Sequence, residues 1–350
     1  MTEESRKAPR QSGVELLRII AIMMVVTVHY LGKGILYTVP FGSLNTILAR
    51  GIESLSIVYI NVFILITGYF NVKSPGFNLR RIVDLLLMVA FYGGAFYCYY
   101  SLTGVYHFQL TAFLKSLVPY LFEGFWFIRV YLILMLIAPF LNVMLNHLKK
   151  SAYLTLVVFC LILFSLLPSF LPTFKSNGGY DILHFVVIYI ISGYFRLHLK
   201  KLPPAWLCFC LYCLFAFITF LFSVYGDNLG YWTYDFISVI PEACFLFLTF
   251  LQLRFVSRPI NYIARSTLAV FVLENCIYQL YDRILHVSDY KESPYFIVHF
   301  AASVIAFSTL ALATDCLRRG LFRLSVDRIL NRSRLLNQRY LSNIDQSKDN

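Results

Sequence analysis

The residues best suited to chemistry lie in the first long apolar stretch, Glu15-Leu-Leu-Arg18-Ile-Ile-Ala-Ile-Met-Met-Val-Val-Thr-Val-His29. Arg18 and His29 are eleven residues apart. On an α-helix, eleven steps of 100° end about 20° from whole turns, so both side chains project from one face, about 16 Å apart along the axis. Glu15 lies one turn before Arg18, where the two can form an ion pair.

This spacing permits two interpretations. In the functional one, Arg18 marks the end that binds an anionic donor, and His29 takes the proton from a hydroxyl as it attacks a thioester carbonyl. Imidazole suits that role because its ordinary pKa lies near neutral pH. In the structural one, His29 is hydrogen-bonded between helices and Arg18 anchors the helix at the membrane surface.

Composition identifies the environment of this helix. The 350 residues are 59% hydrophobic and 14% charged, with a mean hydropathy of +0.69, whereas soluble domains are about 25% charged. A soluble chain of this length could not bury so much apolar surface in one core. The sequence therefore predicts a protein that lipid partly solvates.

Apolar runs of about 20 residues predict membrane helices. We predict an all-α, polytopic bundle of about ten transmembrane helices, with a basic cytoplasmic tail over residues 1–13, one transmembrane domain over 14–317 and a basic, polar cytoplasmic tail over 318–350. The predicted spans are 14–36, 45–71, 79–102, 125–147, 152–171, 182–199, 204–225, 232–253, 260–285 and 294–317. Residues 109–123 are apolar but short, and we expect them along the interface.

The charges give an independent test of this topology. With the N-terminus in the cytoplasm, most of the 30 lysines and arginines fall on the cytoplasmic side, as the positive-inside rule requires. Both termini are then cytoplasmic. The net charge of +12 reflects topology and attraction to anionic lipid and does not indicate nucleic acid binding. The histidines and cysteines lack metal-ligand spacing, so no metal site is predicted.

Several segments together resemble the acyltransferase-3 family of integral membrane O-acyltransferases. An arginine followed after ten residues by a histidine is similar to the opening motif of that family. Further similar segments follow in order over about residues 13–285: Asn61–Phe70, Arg80-Arg81, Phe125–Leu141, Ile191–Arg196 and Ser266–Asn275.

Three positions depart from the family pattern. Thr67 replaces the usual serine before a glycine and keeps the hydroxyl. Arg80 and Arg81 are adjacent, whereas the family often spaces these arginines three apart. Leu273 stands where relatives commonly carry a histidine, so a second histidine in the mechanism is absent or comes from elsewhere.

The resemblance implies an enzyme that transfers an acyl group, by family precedent acetyl, from acetyl-CoA to a hydroxyl of a cell-surface glycan or glycan precursor. It implies His29 and Arg18 as the catalytic pair, acyl-CoA as donor with no bound cofactor, and location in the cytoplasmic membrane of a bacterium. The expected acyl-CoA-binding residues, which could equally anchor the topology, are Arg80, Arg81 and Lys73. The expected acceptor or pocket residues are Glu15, Asn61, Trp126, Arg129, Glu274 and Asn275.

Two other classes fit a membrane bundle with buried Arg, His and Glu. A transporter would use them as a substrate or proton path, but such proteins often show two related halves, which this sequence lacks. An exporter or polymerase of lipid-linked sugars would handle glycan without acyl transfer. The sequence specifies neither the acceptor sugar, nor the acyl chain, nor the oligomeric state.

Overall fold

A computed structural model describes the fold of residues 11–74, 76–122, 124–174, 176–226, 232–277, 281–326, 330, 333 and 339–340. Residues 1–10 of the predicted N-terminal tail and most of the predicted C-terminal tail lie outside this set. The predicted all-α class is confirmed. The described strands are limited to a two-residue antiparallel pairing of Phe77–Asn78 with Arg339–Tyr340.

The described α-helices follow one another along the chain with short connections. They are α1 (Ser12–Lys33), α2 (Leu44–Ser56), α3 (Tyr59–Asn71), α4 (Leu79–Leu102), α5 (Leu110–Leu117), α6 (Trp126–His147), α7 (Lys150–Leu161), α8 (Leu167–Phe170), α9 (Ile182–His198), α10 (Ala205–Tyr225), α11 (Val239–Leu251), α12 (Arg258–Ile263), α13 (Thr267–Ile277), α14 (Tyr281–Leu285), α15 (Val287–Tyr290) and α16 (Phe296–Leu324).

Within the described residues, seven helical segments are long and apolar enough to cross a membrane. They are α1, α2 with α3, α4, α6, α7 with α8, α10 and α16. The apolar helices α9 and α11 are shorter. The protein is therefore a multi-pass membrane protein, while the count of ten spans and the cytoplasmic termini stay predictions.

Four of the predicted spans contain breaks. The span at 45–71 has a turn at Ile57–Val58, and the span at 152–171 has a π-helical turn at Ile162–Leu166. The span at 232–253 becomes α-helical only at Val239, and the span at 260–285 is divided into α12, a 3-10 turn, α13 and α14. Hydropathy averages over a window and does not register a local change of backbone hydrogen bonding.

Residues 232–238 form the start of the predicted span 232–253 and are not α-helical. Side chains from other segments bond to their backbone. Asn61 Nδ2 donates to the carbonyl of Tyr234 at 2.8 Å, and Ser165 Oγ donates to the carbonyl of Asp235 at 2.7 Å. A buried carbonyl without an intrahelical partner needs such a donor. Two side chains that are far apart in sequence therefore hold this segment beside α3.

Helix α1 is packed against α2, α3, α11, α13 and α16. Its first residues are enclosed by the segment after α11, because the Ser12 amide donates to Phe255 O at 3.2 Å and Gln11 Nε2 donates to Leu251 O at 2.5 Å. A side chain at Gly13 would collide with the carbonyl oxygens of Phe250 and Leu253. Glycine is thus required where the chain wraps around the Arg18 end of α1.

Helices α3 and α9 also approach closely. A Cβ at Gly68 would overlap the hydroxyl of Ser192, so the small residue allows the two backbones to pack. Asp181 caps α9 by accepting from the His184 amide at 3.0 Å. This packing sets the N-terminal turn of α9 against Asn61.

Candidate active site

His29 and Glu274 form a close pair between α1 and α13. His29 Nδ1 lies 2.5 Å from Glu274 Oε1. The side chain of His29 is 25% exposed and that of Glu274 is 0% exposed. The pair therefore joins an accessible imidazole to a carboxyl group enclosed by protein.

Contacts with α4 and α6 position α13, and α14 contacts α1. Tyr100 donates its hydroxyl to Cys276 O at 2.8 Å, and Tyr281 donates to Val26 O on α1 at 3.3 Å. Phe271, one turn before Glu274, packs on Phe127 with ring centroids 5.0 Å apart. These contacts position the part of α13 that carries Glu274.

A carboxyl group against Nδ1 of a histidine can orient the imidazole, leave Nε2 with a lone pair and stabilise an imidazolium. His29 is partly exposed beside its carboxyl partner. The pair is therefore a candidate for proton transfer.

Arg18 lies on the same uninterrupted helix as His29. The eleven-residue spacing therefore sets the two residues within about 20° of one face and about 16 Å apart along the axis. Arg18 Nη1 lies 3.6 Å from Glu15 Oε2, and the Arg18 side chain is 33% exposed. The guanidinium is thus paired yet still accessible.

A cavity of about 540 Å³ opens beside the Arg18 end of α1. Its lining residues are Gln11, Tyr69, Leu202, Leu251, Arg254, Phe255 and Val256. Arg196 adds a second cation, since its Nη1 donates to the Tyr69 hydroxyl at 3.4 Å and its guanidinium lies 5.0 Å from that ring. The cavity combines arginine with aromatic surface, which suits a phosphorylated ligand.

None of the three predicted acyl-CoA-binding residues lines this cavity. Arg80 Nε contacts Asp84 Oδ1 on its own helix at 2.7 Å. Arg81 and Lys73 are exposed. The structure therefore brings Arg254 and Tyr69, which the sequence did not single out, to the cavity at the Arg18 end.

Two predicted pocket residues, Asn61 and Trp126, lie in one polar and aromatic region. Asn61 is fully buried, and its Oδ1 is 2.7 Å from His184 Nε2. The ring of Trp126 lies 4.5 Å from that of Tyr180 and 5.8 Å from that of Tyr234, centroid to centroid. Sequence spacing gave no indication of either tyrosine.

A strained turn sets the position of Trp126. Gly124 has φ +94° and Phe125 has φ +50°, which is an uncommon conformation for a residue with a side chain. Phe125 is nevertheless buried and forms the N-cap of α6. The turn starts α6 so that Trp126 faces Tyr180 and Tyr234.

Two other predicted pocket residues make contacts of a different kind. Arg129 is exposed, and its Nη1 donates to Phe122 O at 3.2 Å, which ties α6 to the preceding loop. Asn275 donates to Phe271 O of its own helix at 2.9 Å. In the described part of the chain, both side chains thus bond to a nearby backbone carbonyl and not to the aromatic region around Trp126.

Two buried acids were missed by the sequence interpretation. Glu53 is 3% exposed and Asp315 is 0% exposed. Asp315 Oδ1 accepts from Tyr92 at 3.0 Å and from Arg318 Nε at 2.7 Å. Both interrupt apolar runs, so the cost of burying a charge in the membrane was the signal that could have found them.

The described residues contain no group of three or more His, Cys, Asp or Glu side chains arranged to hold a metal ion. The described part of the chain instead combines helices apolar enough to cross a membrane with a close pair of His29 and Glu274. Residues 11–314 match the acyltransferase-3 family, described as "Acyltransferase domain", and the chain belongs to that family. It is accordingly a membrane acyltransferase. No curated protein and no solved structure matches the chain.

Proposed function

We propose that this protein transfers an acetyl group from acetyl-CoA to a hydroxyl of a cell-surface glycan or glycan precursor in the cytoplasmic membrane of a bacterium. His29 is the general base and Glu274 orients it. The observation that carries the proposal is the 2.5 Å contact between His29 Nδ1 and Glu274 Oε1. It gives the histidine of the Arg18–His29 pair the partner that general-base catalysis requires.

The reaction needs no group beyond the donor, the acceptor and this pair. The acceptor hydroxyl oxygen attacks the thioester carbonyl, a C–O bond forms, and the hydroxyl proton passes to Nε2 of His29. The C–S bond then breaks, and the imidazolium returns the proton to the departing thiolate. Glu274 stabilises the imidazolium between these steps.

The donor enters at the Arg18 end in this mechanism. The cavity beside that end supplies Arg254 and the ring of Tyr69, which suit the phosphates and the adenine of the donor. Arg80, Arg81 and Lys73 are the alternative phosphate-binding set. From Arg18 the donor arm extends about 16 Å along α1 to reach His29.

The test is mass spectrometry of surface glycan from cells that produce the wild type, His29→Ala or His147→Ala at equal membrane abundance. His147 is the matched control because it is exposed and bonded to Val143 O of its own helix. We expect acetyl esters in the wild type and the His147→Ala cells, and their loss with His29→Ala. Unchanged acetylation in His29→Ala cells would refute the proposal. A changed amount of surface glycan with unaltered acetylation would indicate that the protein exports glycan.

A further inference from the structure

Glu53 is a buried acid that the proposed reaction does not use. Its side chain on α2 is 3% exposed. Within the part of the chain that the structure describes, its Oε2 has no hydrogen-bond partner, and Glu53 forms no ion pair. A buried carboxyl group without a partner is costly, so this position is explained if a ligand supplies the missing donor.

Tyrosines lie near the part of α2 that carries this acid. The next residue, Ser54, accepts from Trp232 Nε1 at 3.2 Å, which places this turn of α2 beside the segment that carries Tyr234, and Tyr59 begins α3 six residues after Glu53. The hydroxyls of Tyr59 and Tyr234 are hydrogen-bonded to each other. The ring of Tyr234 lies 5.0 Å from Tyr180 and is stacked on Trp126 at 26°. We call Tyr59, Trp126, Tyr180 and Tyr234 the aromatic cluster.

The aromatic cluster lies between the surface and the helix that carries Glu274. Tyr180 is 44% exposed and Trp126 is half-buried, whereas Tyr59 is 2% exposed. The ring of Trp126 contacts that of Phe127, which lies 5.0 Å from the ring of Phe271, one turn before Glu274. A ligand lying along the cluster would therefore have one end near solvent and the other near the reacting groups.

The position of the cluster separates it from the donor cavity. Tyr69 of α3 lines the cavity at the Arg18 end. Asn61, which contacts His184 in the first turn of α9, lies eight residues earlier on α3, about 12 Å away along the axis. Tyr180 precedes Asp181, the N-cap of α9, so the cluster lies toward the His29 end.

We propose that Glu53 and the aromatic cluster bind the acceptor as a pyranose ring, with Trp126 and Tyr180 against its face and Glu53 accepting a hydrogen bond from a ring hydroxyl. The inference rests on the proposed acyl transfer. Flat aromatic faces pack on the apolar C–H face of a sugar, and a few buried polar groups fix the orientation of a ligand. Glu53 holds one hydroxyl so that another faces His29.

The experiment measures kcat and KM with purified protein in lipid, using radiolabelled acetyl-CoA and methyl pyranosides as acceptors. Glycerol serves as an acceptor that has hydroxyls but no ring. The variants are Tyr180→Ala, Tyr180→Phe, Glu53→Ala and Glu53→Gln. Tyr225→Ala is the matched control because Tyr225 is 82% exposed.

We expect Tyr180→Ala to raise the pyranoside KM about tenfold, as for a lost aromatic contact, with the glycerol and acetyl-CoA KM unchanged. Tyr180→Phe retains the wild-type KM because it keeps the ring. Glu53→Ala raises the pyranoside KM about tenfold, as for a lost hydrogen bond, and Glu53→Gln restores most of the affinity because its amide oxygen still accepts a hydrogen bond.

Two results would overturn this inference: a pyranoside KM that Tyr180→Ala leaves at the wild-type value, or equal effects of Tyr180→Ala on pyranosides and glycerol. Because Tyr180 is largely at the surface, its substitution does not endanger folding. A pyranoside KM that Glu53→Gln raises as much as Glu53→Ala does would also overturn it, because the amide oxygen of glutamine keeps the hydrogen-bond acceptor. A different result would refute the proposed acyl-transfer mechanism itself: full activity of His29→Ala with every acceptor.

Discussion

Replacing Glu274 by glutamine removes the charge beside His29 and keeps the size of the side chain. At 2.5 Å and an effective dielectric constant of about 20, a carboxylate and an imidazolium attract by about 6–7 kcal/mol. Glutamine can still hydrogen-bond to Nδ1, so the loss is smaller than this limit. The corresponding Asp-to-Asn change in a serine-protease triad lowers kcat by about 10⁴-fold.

We therefore expect kcat of Glu274→Gln to fall about 10³–10⁴-fold, which corresponds to about 4–5.5 kcal/mol in the barrier. The KM for acetyl-CoA stays unchanged, because the expected phosphate site lies at the other end of α1. The assay is turnover of radiolabelled acetyl-CoA by purified protein with a saturating pyranoside acceptor. Glu292→Gln is the control, since Glu292 is exposed.

A kcat for Glu274→Gln within about threefold of the wild type would refute the assignment of Glu274. The melting temperature of each variant in detergent must accompany the kinetics. A neutral side chain in a buried position avoids the cost of burying a charge, so we expect Glu274→Gln to fold. Reduced turnover with unchanged melting then measures the effect on catalysis alone.

Three further predictions concern other parts of the structure. Gly68→Val forces a side chain into the hydroxyl of Ser192, and we expect a loss of about 1–3 kcal/mol in stability, read as a lower melting temperature in detergent. Asp315→Ala leaves its arginine partners unpaired, with an expected cost of about 3–5 kcal/mol in the same measurement. Arg254→Ala should raise the acetyl-CoA KM about tenfold. A larger increase with Arg81→Ala would instead place the donor phosphates at Arg80, Arg81 and Lys73.

Regular helices could be predicted closely from hydropathy. The predicted span 79–102 coincides with α4, and the predicted spans 125–147 and 204–225 begin one residue before α6 and α10. Each is an unbroken apolar run whose backbone bonds are satisfied within the helix. The breaks were missed because they depend on donors from elsewhere, as Asn61 and Ser165 provide for 232–238.

The candidate site was predictable only in part, and for a similar reason. The spacing of Arg18 and His29 is a property of one helix, so their common face could be predicted. The contact of His29 with Glu274 joins residues 245 positions apart and depends on how α13 packs. Glu274 was an expected pocket residue, but neither its partner nor the tyrosines near Glu53 could follow from spacing.

The most direct test of the account is transfer of labelled acetyl from acetyl-CoA to a methyl pyranoside by the purified protein, with His29→Ala compared with His147→Ala. Loss of a general base lowers the rate by about 10²–10⁴-fold, so we predict that decrease for His29→Ala, partial recovery on adding free imidazole, and a wild-type rate for His147→Ala. Transfer by His29→Ala at the wild-type rate would contradict the account.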